Sequence, residues 1–475
     1  MGLISRHAFS HAPSAGRRTS ASVPLALLML LFGTAAHADP LLDRYVTEAL
    51  ASNSALQAQH FAVEAALQGL SAARGKRGPT VTLNARYTAA EGGRVIELPT
   101  GDLVNPVYQT LNQLTAGSAN PTAFPQIDNT DIAFLRRREQ DTRLSFAAPL
   151  YAPEIDAEVH LRAAQLEGSQ ATREAYARAL VRDVKTAYLR AVAADAGVQV
   201  LEASRASLQA NLRVAQALVA AGKATRDQGL RAEAELLDIE QRLNTARNEA
   251  RAARRFLNLL RNQDENTPVD VRVDTTEPLS DGSAPASSRP ELRQLDAQID
   301  EAEGARKLAR AAYQPVLAVV ADAGIQGVEY GSGRDPDVAT VSLVLKWTLL
   351  DFGTRRAAVS RATAQANQLK ALRQDVQRQL ALARANAADR VQTTADSLST
   401  AAARRAAAEE SLRIAERKRD AGQLSQAEFI DAERSATAAR MGLLLAGTEQ
   451  RIAAAELEFT EARFPLPAVL SGVSP

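Results

Sequence analysis

The side chains that most often carry chemistry are scarce in this chain and poorly arranged for it. With no cysteine, thiolate catalysis, disulfides and lipid attachment at an N-terminal cysteine are all excluded. Of the five histidines, His7, His11 and His37 precede a candidate cleavage site, and His60 and His160 alone do not make a metal site. No nucleophile stands with a base, no two carboxylates are spaced for acid and base work, and Gly331-Ser332-Gly333 reads as a turn because no helix follows it. The pattern argues against an enzyme and calls for no cofactor. What the polar residues can do is start helices. Thr225-x-x-Gln228 and Ser425-x-x-Glu428 have the spacing of capping boxes, and each follows a glycine, Gly222 or Gly422, at which a helix can turn.

Those two boxes lie 200 residues apart, and so does almost everything around them. Leu212-Arg213-Val214-Ala215 returns as Leu412-Arg413-Ile414-Ala415, Ala221-Gly222 as Ala421-Gly422, and Ala232-Glu233 as Ala432-Glu433. A unit from Tyr151 to Arg261 is thus repeated from about Leu350 to Phe464. Within the first unit Leu180, Val184, Ala187, Ala191, Ala194, Val198, Leu201, Leu208, Leu212, Ala215 and Val219 follow heptad steps, broken at Arg205. Leu380, Ala387, Val391, Leu398, Ala401, Ala408, Leu412 and Ala415 keep the same comb, broken at Arg405. A helix from Asp156 to Ala220 would be on the order of 100 Å long. Beyond Gly222 the seam Leu236, Ile239, Leu243, Ala246, Ala250, Ala253, Leu257 and Leu260 predicts a return helix. Each copy therefore holds a long helical hairpin.

Strands precede both hairpins. Val81, Leu83, Ala85 and Tyr87 alternate with polar residues over 80–88, and Leu144, Phe146, Ala148 and Leu150 do so over 143–151. Pro315 matches Pro79, which puts Leu317, Val319 and Ala321 where Val81, Leu83 and Ala85 stand, and Leu343, Leu345, Trp347 and Leu349 mark a fourth strand over 341–349. Helices are predicted before each strand pair, over 41–74 and 290–310. Between the first two strands, residues 92–138 are rich in Pro, Asn, Gly and Thr and read as one long loop, suited to lidding an outer mouth.

Residues 1–38 have the basic start, short apolar run and Ala36-His37-Ala38 site of a secretory signal, so cleavage after Ala38 and export are expected. No later run is long enough for a membrane-spanning helix. The partition is a signal over 1–38, a first repeat over 39–261, a connector over 262–289, a second repeat over 290–464 and a tail over 465–475. Lys and Arg total 56 against 55 Asp and Glu, interleaved along helix faces, which argues against a nucleic-acid partner. Four strands with one apolar face cannot close a barrel alone, so a lipid-embedded sheet must be shared among chains. The alternative is an exported helical scaffold or adhesin with a soluble four-stranded cap and no pore.

Trp347-Thr348-Leu349-Leu350-Asp351-Phe352-Gly353-Thr354-Arg355, the tips Ala221-Gly222-Lys223-Ala224-Thr225 and Ala421-Gly422-Gln423-Leu424-Ser425, and Phe429-Ile430-Asp431-Ala432 resemble the TolC family of outer-membrane efflux channels. The resemblance implies a mainly α fold with a small membrane β-barrel contribution, a homotrimer sharing a twelve-stranded barrel above a periplasmic helical tunnel. Val81, Leu83, Tyr87, Leu144, Phe146, Leu317, Val319, Leu343, Leu345 and Trp347 would then face outer-membrane lipid. It further implies that the tips meet a periplasmic adaptor and an inner-membrane pump, and that Glu428 and Asp431 ring the periplasmic gate, mutual repulsion raising their pKa values. Leu424 occupies the place of the family's basic link, leaving Arg226, Asp227 and Arg231 as candidates for the closing ion pairs.

Overall fold

The structure is a computed structural model and describes residues 40–271, 289–328 and 337–470. The signal segment 1–38, the connector beyond residue 271, the Gly331-Ser332-Gly333 turn and the end of the tail lie outside the described residues.

Each repeat runs helix, two strands, long helix, return helix. In the first, α1 (Pro40–Ser52) and α2 (Ser54–Gly75) lead to β1 (Thr80–Ala89). One helix is predicted over 41–74, but Asn53 divides it, its side-chain oxygen accepting the Leu56 amide and capping α2. The predicted loop is also corrected, because residues 90–137 hold β2 (Val95–Leu98), α3 (Thr100–Thr115) and β3 (Thr130–Ala133). Asn105 and Asn112 are the reason. Each exchanges two hydrogen bonds with backbone of the returning segment, at Ile127 and Phe124, so side-chain amides tie down chain that lacks an apolar core. Then follow β4 (Arg138–Tyr151), α4 (Pro153–Ala220) and α5 (Arg226–Leu260). The second repeat is α6 (Pro290–Ala311), β5 (Val316–Gly327), β6 (Asp337–Lys346), α7 (Thr354–Asp420) and α8 (Gln426–Thr460).

The helices stand as four columns. α4, of 68 residues, packs against α2 in its upper half and α5 in its lower half on one side, and against α6 and α8 on the other; α7, of 67 residues, packs on α6 and α8. The column order is α2 and α5, then α4, then α6 and α8, then α7. Heptad residues drive this: Leu201, Leu208, Ile239 and Leu243 form one buried cluster between α4 and α5. A second cluster at mid-height joins α1 to α4, with Tyr45, Val46, Val184, Tyr188 and Leu257 buried. The second seam is buried at Ala387, Leu412 and Ala415, whereas Leu380, Val391, Leu398, Ala401 and Ala408 are half-exposed on the outermost column.

The sheet has the order β1-β4-β5-β6, antiparallel throughout, with β1 and β6 at the open edges. β4 begins five residues before the predicted start, extended by pairing with β1 down to Arg138. β6 ends at Lys346, so Trp347 and Leu349 lie just past the strand instead of within it. There Asp351 redirects the chain, accepting the Gly353 and Arg355 amides and the Arg355 guanidinium, while Gly353 takes φ 95° at the mouth of α7.

Candidate functional site

Paired residues of an antiparallel ladder share a face, so the register decides what each side of the sheet presents. Val81 pairs with Phe146, Phe146 with Ala321, and Ala321 with Val341; Leu83 pairs with Leu144, Val319 with Leu343, and Leu317 with Leu345. These apolar residues therefore form one continuous face across all four strands. A register shift between Pro149 and Tyr151 brings Tyr151 beside Leu317 on that face. Val81, Leu83, Tyr87, Leu144, Phe146, Leu343 and Leu345 are exposed, as is Trp347 beyond the strand end, while Leu317 and Val319, on a central strand, are half-buried. Trp347 donates its indole N–H to the Tyr313 carbonyl at 3.0 Å, with its ring left outside.

The opposite face is polar and wired across strands. Asn84 donates to Ser145, Ser145 to Asp322 at 2.5 Å, Arg143 to Asp141 and to Gln326, and Gln326 to Glu139. One side apolar and exposed with the other polar and hydrogen-bonded is the arrangement of a sheet between lipid and water. No described helix is long and apolar enough to cross a membrane.

At the far end each hairpin turns on a left-handed glycine. Gly222 has φ 67° and Gly422 φ 70°, and both tips close the same way. Lys223 N–H donates to the Leu218 carbonyl and Gly222 N–H to that of Val219; Gln423 and Gly422 do likewise to Lys418 and Arg419. Ala221, Lys223, Thr225, Ala421, Gln423 and Ser425 are exposed, and Ala224 and Leu424 half-buried. The capping boxes then part company. Ser425 and Glu428 cap each other reciprocally, with the Ser425 N–H donating to Glu428 Oε2 at 2.9 Å and the Glu428 N–H to Ser425 Oγ at 3.3 Å. Thr225 makes no such side-chain bond, the neutral Gln228 being a weaker acceptor than a carboxylate. The Ser425 amide and hydroxyl, with Lys418 adding to them, hold the Glu428 carboxyl below its ordinary pKa in the single chain.

The predicted ion-pair candidates stay on their own helix. Asp227 and Arg231 are 3.8 Å apart along one turn of α5, both well exposed, a contact worth about 0–1 kcal/mol; Arg226 is exposed at the helix start. What joins the hairpins was missed by sequence reasoning. Arg434 of α8 forks onto Glu235 of α5, Nε to Oε1 at 2.8 Å and Nη2 to Oε2, and Glu235 is only 4% exposed. The preceding residue, Glu433, is buried and accepts from Ser204 at 2.6 Å and Thr437 at 2.9 Å, linking α8 to α4. The signal lay in departures from the repeat: positions 434 and 235 correspond to Ala234 and Ser435. Asp431 stands exposed on the same groove, lined also by Arg231, Asp238 and Ile430. The copies differ again at Gly229 and Phe429. Phe429 is fully buried with Leu412 and Ala436 under the Arg419 guanidinium, 4.4 Å from its ring, so only the second tip has an aromatic anchor.

Residues 284–460, the second repeat, match the model of the family described as outer membrane efflux protein. By structure the chain is similar to the Campylobacter jejuni CmeC outer membrane channel, with a TM-score of 0.75 at 14% identity over 89% of this chain and 86% of that one. It is similar to the Neisseria gonorrhoeae MtrE outer membrane channel in its open state, with a TM-score of 0.72 at 18% identity over 89% of each chain. The outer membrane protein VceC of Vibrio cholerae gives a TM-score of 0.69 at 16% identity over 88% of this chain and 95% of that one. No curated protein matches the chain by sequence. The second repeat is thus similar to the outer membrane efflux protein family, and the chain as a whole carries the fold of these TolC-like channels.

Proposed function

We propose that the protein is the exit duct of a tripartite efflux system, a passive conduit through the outer membrane and periplasm. The observation that carries this is a coincidence of open edges. β1 and β6 are the unpaired edges of the sheet, and the columns continuing from them, α2 with α5 on one side and α7 on the other, are the open edges of the helical wall. A single head-to-tail rotation therefore closes both layers at once, and a ring is the form such a contact takes when the rotation closes. Three chains, the number the family resemblance implies, would supply twelve strands, enough to close a lipid-embedded barrel, the apolar face outward and the Arg143, Asp322 and Gln326 face lining water.

The chain would be exported with its signal cleaved after Ala38, and stand in the outer membrane of a Gram-negative cell without a lipid anchor. The tips around Gly222 and Gly422 would receive a periplasmic adaptor fed by an inner-membrane pump. At the gate, Asp431 supplies the exposed carboxylate of each chain, Glu428 being already engaged by Ser425. The Arg434 and Glu235 fork keeps the second hairpin against the first, which supports it as the restraint on opening.

Single-channel recording of the detergent-purified protein in a planar bilayer tests this. Discrete cation-preferring steps are expected, with lower cation preference in Asp431→Asn and more frequent long openings in Arg434→Ala. Absence of any steps from protein soluble without detergent would sink the duct. Steps indifferent to both substitutions would keep the duct and discard the gate.

A further inference from the structure

Just tipward of the mid-height cluster lies a groove of about 440 Å³ bounded by α4, α7 and α8 of the same chain. Leu189, Val192, Val200, Leu398, Leu443 and Leu444 make its apolar walls. Its size and lining fall in the range of small-molecule sites, mostly apolar with a few convergent polar groups. The polar groups are one-sided, Arg405, Arg440 and Arg451 against the single acid Glu409. Arg405 and Arg440 both donate from Nε to the same oxygen, Glu409 Oε1, at 3.0 and 2.9 Å. Their Nη donors are left for another acceptor.

The second copy lacks a cross-hairpin ion pair that the first copy keeps. In the first copy Arg247 of α5 reaches across to Glu202 of α4 at 2.7 Å. The equivalent positions are Gly447 and Ala402, so both partners of that bridge are replaced by small residues. Gly447 is not demanded by close packing, since a Cβ there would meet its nearest atom, Leu398 Cδ1, at an ordinary 3.8 Å. A glycine inside a helix is destabilising relative to alanine, and here it leaves room.

We propose that this groove binds a small anionic amphiphile, its apolar body against the leucines and its carboxylate on the Arg405 and Arg440 pair. The site needs no second chain, so it stands or falls separately from the duct. The probe is an eleven-carbon fatty acid carrying a dansyl group, titrated by fluorescence anisotropy into the mature protein in a nonionic detergent, with empty micelles subtracted. The terminal amide of the same molecule is the neutral comparison. Micromolar binding is expected for the acid, at least tenfold weaker for the amide. Gly447→Leu, which fills the groove, and Arg405→Gln with Arg440→Gln should each weaken the acid about tenfold or more. The double glutamine variant should also erase the difference between acid and amide, a readout that mere misfolding would not produce. Equal binding of acid and amide, or binding unchanged by both Gly447→Leu and the arginine pair, would overturn the site and reduce the signal to partition into detergent.

Discussion

Glu428 illustrates how one acid can be claimed by local structure before any assembly acts on it. Its carboxylate is folded back on the Ser425 amide and hydroxyl, and the pKa is lowered by those bonds first, with Lys418 assisting. A depressed pKa in the folded state means that the cap contributes its stabilisation above the ordinary carboxyl range, near 4.3, and loses it as pH falls through the lower folded value. Amide protection at the second tip, taken relative to the intrinsic exchange rate at each pH, should therefore be flat from neutral pH to about 5 and fall below about 4. In Ser425→Ala the carboxyl returns toward its ordinary pKa and tip exchange at neutral pH should rise roughly fivefold. If exchange at the first tip, whose box is unformed, showed the same acid response, Glu428 would not be its cause.

Among the elements, the hairpin turns combine two identical constructions with unequal anchoring. Both need a residue in the left-handed region, at Gly222 and Gly422, and an alanine in either place should cost about 1 kcal/mol of local stability. That cost should express itself differently. Phe429, Leu412 and Ala436 pin the second tip, whereas Gly229 gives the first tip no comparable anchor. Gly222→Ala should accordingly open its tip to limited proteolysis well before Gly422→Ala does, a difference that cleavage mapping by mass spectrometry would read. The insert over 90–137 is likewise an element matter: Pro, Gly, Asn and Thr suggest loop, yet Asn105 and Asn112 fasten α3 to the irregular segment that leads into β3. Pairing of polar side chains with distant backbone leaves no periodic trace in sequence.

For the whole molecule, the edges of sheet and wall state how copies must meet. Within one chain β1 and β6 are separated by β4 and β5, so Thr82 and Thr340 stand about 14 Å apart at the usual strand spacing, beyond disulfide reach. The chain has no cysteine of its own. A panel of variants with one cysteine in β1 and one in β6, starting from Thr82→Cys with Thr340→Cys and stepping along β6, should give disulfide-linked dimers and trimers at one register. A panel that stays monomeric under oxidation at every register would refute closure through these edges.

How much was legible beforehand follows from the range of the forces involved. The tandem repeat, both hairpins, the turn glycines, the strand alternation and the apolar sheet face were written in the sequence, because heptad and two-residue periods are local consequences of backbone geometry. Only the tertiary structure decided which columns stand side by side, that residues 90–137 fold, that Thr225 does not complete its box, and that Arg434 meets Glu235 while Arg231 turns to Asp227. Those outcomes depend on which side chains a neighbouring helix brings within a few ångströms, and nothing in the spacing of either partner along its own chain encodes that distance.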